Sequence, residues 1–175
     1  MAKFVRYGPP DRYGLPEAGF CASSFAIIRS GRKLLLGVPN PAERERWQAD
    51  WWPGLAVYDP KERAREIRLW RFPAAFLYEG ESPQDCLARV MGEMLRVRRW
   101  SVTNHEDRAF YDPSDWYPGH RHYDLCFVYD VTIPKAPALP EWFSRLEFVD
   151  PSTLKADDFG SAQGDLGKAL NLLKR

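Results

Sequence analysis

Glu81, Arg89 and Glu93 are the charged residues whose types and spacing carry chemistry, in FPAAFLYEGESPQDCLARVMGEMLRV, residues 72–97. The stretch reads as a loop feeding a helix. A loop carboxylate and a helix guanidinium can then pair across the junction, and a charge-assisted pair of that kind fixes geometry well. Acids gathered along one edge of such a helix can hold divalent cations against a phosphate chain. Magnesium takes several oxygen ligands in octahedral array, and diphosphate cleavage needs its charge neutralised. On this helix Glu93 shares its edge with Val90 and Met94, so the edge carries one carboxylate and two hydrophobes.

The helix has its own start signals. Ser82 is a good N-cap, Pro83 suits the first helical position, and Asp85 completes an S-x-x-D capping box. At about 100° per residue, Leu87, Met91 and Leu95 face the core, and Glu93, Val90 and Met94 lie beside that face. Read without further context, Glu93 is an exposed acid that pairs with Arg89 four residues earlier, worth a few tenths of a kcal/mol. Val90 and Met94 read as core packing.

This layout resembles the signature of the Nudix hydrolases, in outline G-x5-E-x7-R-E-U-x-E-E-x-G-U, with U aliphatic. Ala75 stands at the first glycine and Glu81 at the loop glutamate, followed by Arg89, Val90, Met91, Gly92, Glu93, Met94, Leu95, Arg96 and Val97 without a gap. WRFPAAFLYEGES is also similar to the family's W-x-x-P-G-G-x-x-x-x-G-E-S. The resemblance implies an α/β/α sandwich with a mixed β-sheet, one mid-chain helix and a C-terminal helix, over roughly residues 20–173.

It further implies that Glu81 and Arg89 lock loop to helix, and that Glu93 is the survivor of three helix glutamates that bind metal or assist the base. Val90 and Met94 stand at the other two positions, and Arg96 at the late glycine. Ala74 and Ala75 replace the glycine pair, and the first of those carbonyls can still face a cation while φ stays negative. Magnesium or manganese is the implied cofactor, on Glu93 and with Glu79 as a second candidate, one residue out of step with the family's loop acid. Asp112, Asp115, Asp157 and Asp158 are the later loop acids available to complete such a site. The implied substrates are nucleoside diphosphates linked to another group. Because the scaffold is kept and the reactive edge is not, we expect hydrolysis to be weak or absent and nucleotide binding to be retained. The alternatives are an active pyrophosphohydrolase using Glu93, loop acids and magnesium, and a non-catalytic interaction or assembly domain.

The surrounding elements must position this stretch. FCASSFAIIR and LLLGV around SGRK form a hairpin. LWRF is a short strand running into Pro73. SVTNHEDRAFYD, HYDLCFVYDVTI and LEFVD are strands, the second nearly continuous in hydrophobicity and so central. DLGKALNLLK is a terminal helix with Leu166, Ala169, Leu170 and Leu173 on one face. Residues 1–19 read as an extended arm and residues 40–68 as an insertion outside the core. In that insertion Trp47, Trp51 and Trp52 are ligand-binding candidates, for stacking on a base, for a homodimer contact, or for a lid.

The 175 residues fit one domain, and 45% hydrophobic with 14% aromatic residues excludes a disordered chain. A net charge of +1 gives no global field for nucleic acid or an anionic membrane. No apolar run approaches the ~20 residues of a membrane span, and MAKFVRYGPPDRYG lacks a signal peptide's apolar stretch, so a cytoplasmic location is expected. Cys21, Cys86 and Cys126 have no zinc-site spacing and read as buried free thiols. His120 and His122 alternate at the start of a strand and, with no third ligand nearby in the sequence, read as a surface feature.

Overall fold

The structure is a computed structural model that describes residues 19–47, 51, 59–113, 121–160 and 163–173, the side chains at 112 and 113 excepted. Most of the expected N-terminal arm, together with Trp52, Asp115 and His120, lies outside the described residues. The strands are β1 (Phe20–Ser30), β2 (Lys33–Pro39), β3 (Ala74–Phe76), β4 (Ser101–Pro113), β5 (Arg121–Thr132) and β6 (Phe143–Val149). The longer helices are α1 (Pro60–Glu66), α2 (Pro83–Arg89), which continues as a π turn over Val90–Met94, and α3 (Gln163–Ala169).

β1 is the spine. It runs parallel to β5 from Phe20 beside Tyr123 to Ile28 beside Val131, antiparallel to β3, and antiparallel to β2 next to the hairpin turn. β4 flanks β5 and β6 flanks β2, giving the order β4-β5-β1-β2-β6 with β3 on β1. Alternation along β1 and β5 divides the interior. Ala26, Ile28, Tyr129 and Val131 face α2, whereas Phe25, Ile27, Cys126 and Val128 face Leu166 and Leu173 at the C-terminal end. A central strand covered on both faces has no polar side to show, hence the near-continuous apolar runs. The result is the expected sandwich with a mixed sheet.

Three expectations are corrected. LWRF does not form a strand: Trp70 and Arg71 make single bridges, to Phe159 and Gly37, and regular pairing begins only after Pro73. The Arg71 guanidinium is buried there against Glu66, 3.2 Å away, a placement that the apolar look of the segment conceals. The 40–68 segment is not outside the core. Trp47 and Trp51 are each only 3% exposed and join Ile67 in the cluster on the α2 face. Each indole takes more apolar surface from water than most side chains. Finally, the terminal helix stops at Ala169, which is exposed, and Asn171 takes φ +54° as Leu172 N bonds the Gly167 carbonyl. Asn tolerates this left-handed conformation, which caps the helix and folds Leu173 back into the core.

Gly37 marks a close approach. A Cβ there would lie 2.3 Å from the Phe143 ring, while its N–H and carbonyl both bond the Arg71 backbone, at 2.9 and 2.8 Å. The strand is pinned and the ring must move. Gly37→Ala is expected to lose about 1–3 kcal/mol, the usual cost of overpacking, read as a lower urea midpoint. An unchanged midpoint would show that Phe143 yields freely.

Candidate functional site

The site starts where β3 ends. Residues 77–82 loop out through Gly80, whose φ of +79° suits a residue without a Cβ, and Glu81 N bonds the Tyr78 carbonyl at 3.0 Å. Ser82 then caps α2: its Oγ accepts from Asp85 N at 3.1 Å and donates to Asp85 Oδ2 at 2.7 Å. Ser24 of β1 donates to the Pro83 carbonyl at 2.8 Å, tying the helix start to the sheet. The Cys86 thiol is fully buried and donates to the Ala75 carbonyl at 3.3 Å. Burial raises its pKa, although the nearby Arg89 charge works the other way.

Arg89 reaches back over this loop. Its Nε and Nη2 donate to the two oxygens of Glu81, each at 2.8 Å, and Nη2 also donates to the Phe76 carbonyl at 2.8 Å. The guanidinium lies 3.8 Å from the centre of the Tyr78 ring. Side-chain exposures of 8% for Arg89 and 11% for Glu81 make this an interior pair. The hydrogen bonds from Arg89 hold the Glu81 carboxyl below its ordinary pKa; burial opposes them and the Tyr78 N–H adds to them. With Arg89 so engaged with Glu81, the short-range pairing expected between Arg89 and Glu93 gives way to the loop contact.

Beyond Arg89 the helix widens. Val90–Met94 form a π turn, closed by Leu95 N to the Val90 carbonyl at 3.0 Å, and Val97 N bonds the Met91 carbonyl at 2.8 Å. A turn of i→i+5 bonds does not keep the 100° step of an α-helix. Val90 and Met94 are not at an edge: both are 0% exposed, in one cluster with Met91, Leu95, Trp47, Trp51 and Trp142. The indoles are fixed by polar contacts as well. Trp47 Nε1 donates to the Trp142 carbonyl, and Trp142 Nε1 donates to the Glu93 carbonyl at 3.3 Å. Trp51 and Trp142 meet edge to face, with centroids 5.7 Å apart.

The remaining candidates are placed as follows. The Glu93 and Glu79 side chains are exposed. Ala74 and Ala75 belong to β3 and neither has a positive φ. Trp47 and Trp51 are interior, so neither presents a ring face for a base to stack on. Asp158 caps its own turn, accepting from Lys155 N at 2.7 Å, and the adjacent Phe159 packs into the core on the opposite face of the sheet. Among the described residues the α2 edge thus offers Glu93 as its carboxylate. One such ligand holds magnesium little better than water does, so this donor set does not fit a magnesium or manganese centre.

Sequence reasoning missed two features. Trp142, which covers the π turn, gave no signal because the tie to Glu93 spans 49 positions. His122 is not a surface residue: it is buried on β5, and its Nε2 lies 3.1 Å from Asp124 Oδ1, to which the Cys21 thiol also donates at 2.8 Å. Burial raises the Asp124 pKa, but the hydrogen bonds from His122 and Cys21 outweigh it and the net shift is downward.

Comparison with solved structures identifies the architecture. The chain is similar to the E. coli ORF135 protein at 16% identity and TM-score 0.53, over 87% of this chain and 89% of that one. It is similar to a MutT NUDIX hydrolase from Burkholderia pseudomallei at 12% identity and TM-score 0.51, over 89% and 99%. It also matches a bifunctional NMN adenylyltransferase/ADP ribose pyrophosphatase from Francisella tularensis, complexed with AMP and a Mn ion, at 11% identity and TM-score 0.55. That match covers 86% of this chain, which spans 41% of the larger protein. The fold is Nudix-like. No protein-family profile and no curated protein sequence matches the chain.

The lowered Glu81 pKa has a sign that can be measured. The folded state binds this proton less readily than the unfolded chain. The pair's contribution is therefore present above the ordinary value of 4.5 and is lost as pH falls below it. Glu81→Gln is expected to lose about 2–4 kcal/mol at neutral pH, as loss of one partner of an interior pair does. In denaturant titrations the gap between wild type and variant should narrow on acidification. A gap that is constant with pH would show that the pair does not set the loop.

Proposed function

We propose that this chain is a Nudix-fold module whose hydrolysis is weak or absent and which binds a small molecule of the nucleoside-diphosphate type without cleaving it. The observation that carries the reading is the complete burial of Val90 and Met94, the positions where the resemblance puts two of the three metal-binding glutamates. An ionised carboxylate at either position would lose its hydration without gaining a partner, a penalty of several kcal/mol. Cation binding and core packing thus compete for the same volume, and packing occupies it. The ligand class rests on the fold and on the retained Glu81–Arg89 frame; among proteins of similar fold, that from F. tularensis is complexed with AMP.

With magnesium or manganese present, the purified protein is expected to release little or no phosphate or monophosphate from ADP-ribose, dinucleotide polyphosphates or oxidised nucleoside triphosphates. Robust turnover that disappears in Glu93→Gln would overturn the reading. In a thermal-shift series, at least one nucleotide should raise the melting temperature by several degrees, and no response at millimolar concentrations would refute ligand binding.

The burial itself is testable. The double variant Val90→Glu/Met94→Glu, which rebuilds the acidic edge, is expected to lose more than about 3 kcal/mol of stability and to gain no manganese affinity. A variant that melts like the wild type and binds manganese would show the edge to be open.

A further inference from the structure

A second constellation lies on the other face of the sheet. The parallel register of β1 and β5 sets Cys21 directly beside Asp124. Strand alternation puts His122, two residues earlier, on the side of Asp124. One donor atom from each residue falls in a group whose members lie within 4.8 Å of one another. The side chains following Asp124 on this face, Cys126 and Val128, pack with Leu166 and Leu173, so the group is separated by the sheet from α2 and Glu93. His122 is nearly closed off, while Asp124 keeps a quarter of its side chain exposed, which leaves a way in from solvent.

Both contacts converge on the same carboxylate oxygen, Asp124 Oδ1, from Cys21 Sγ at 2.8 Å and from His122 Nε2 at 3.1 Å. An ionised carboxylate only accepts, so a proton lies along each contact. A cation placed at that convergence replaces both protons. Thiolate, imidazole and carboxylate are the ligand types that zinc takes, at about 2.3, 2.0–2.1 and 2.0–2.2 Å. In a tetrahedron those bonds separate the ligand atoms by roughly 3.4–3.7 Å, so each contact has to open by less than about 1 Å. Magnesium and calcium, which require oxygen ligands, do not suit the set.

We propose that Cys21, His122 and Asp124 bind a zinc ion through Sγ, Nε2 and a carboxylate oxygen, with the fourth position left to water or another ligand. On binding, the thiol proton leaves to solvent and the imidazole proton moves to Nδ1. The dication is then balanced by thiolate and carboxylate, and affinity rises with pH.

The full chain, stripped with a chelator, is titrated with zinc against a chromophoric chelator and with cobalt(II) as a spectroscopic probe. Wild type should take up about one zinc per chain and melt several degrees higher with zinc in excess. Its cobalt form should show a thiolate charge-transfer band. Cys21→Ser and His122→Gln should each lose more than the roughly 100-fold in affinity that removal of an outer hydrogen-bond partner costs, and Cys21→Ser should lose the band. Glu93→Gln, across the sheet, should bind zinc as wild type does. Should the site variants not fold, zinc protection of Cys21 against alkylation in wild type, read by peptide mass mapping, decides the matter. Undiminished binding in Cys21→Ser, loss of binding in Glu93→Gln, or an unprotected Cys21 overturns the proposal.

Discussion

The Arg89 guanidinium is the constraint around which the mid-chain region is organised. It holds both oxygens of Glu81, the Phe76 carbonyl and the face of Tyr78, and so joins the end of β3, the loop and the helix through one group. Arginine's rigid fork suits this, because its donors are pre-set for a carboxylate and less freedom is lost per bond formed. A pair this deep does not have to add stability relative to apolar residues of equal size. Its effect is to select one loop conformation. Ser24, bonded to the Pro83 carbonyl, and Cys86, bonded to the Ala75 carbonyl, then fix where α2 lies on β1 and β3.

From that anchored start the helix leaves its regular path as soon as Arg89 is passed. The π turn brings Val90, Met91, Met94 and Leu95 inside together, where an unbroken α-helix would spread them over a wider arc. Full burial of an aliphatic side chain favours folding by about 1.5–3 kcal/mol, so an apolar side chain and a carboxylate have opposite preferences at positions 90 and 94. The Trp47–Trp142–Glu93 hydrogen-bond chain completes the cover. The Trp47 and Trp142 N–H groups each reach a carbonyl, which allows those large rings to be interior with their polar atoms satisfied.

What could be read in advance follows a physical line. The β1–β2 hairpin, the Ser82 cap and the Glu81–Arg89 spacing depend on residues within one loop or a few helical turns, and local pattern suffices for them. The burial of Trp47 depends on Trp142, 95 positions away; among neighbouring charges and beside Pro53 and Gly54, its segment looks solvated. The Cys21–Asp124 contact spans 103 positions and exists because β1 and β5 run parallel. No spacing rule for Cys and His sees across a crossover of that length. The π turn was hidden for a different reason: a wheel with a fixed step presumes the regularity that fails there.

Arg96 shows how neighbouring contacts can hold a backbone conformation that its own side chain disfavours. It occupies the place where the resemblance puts a glycine, and it takes φ +55°, a conformation that costs a residue with a Cβ about 1–2 kcal/mol. Two contacts hold the turn: Val97 N bonds the Met91 carbonyl, and the Arg96 side chain pairs with Glu141 beside Trp142. The same partnership recurs at Trp142, which caps the helix end through the Glu93 carbonyl. The backbone path at the end of the helix is thus enforced from outside, by the segment before β6. Tertiary contacts hold at Arg96 a conformation that a glycine would adopt unaided.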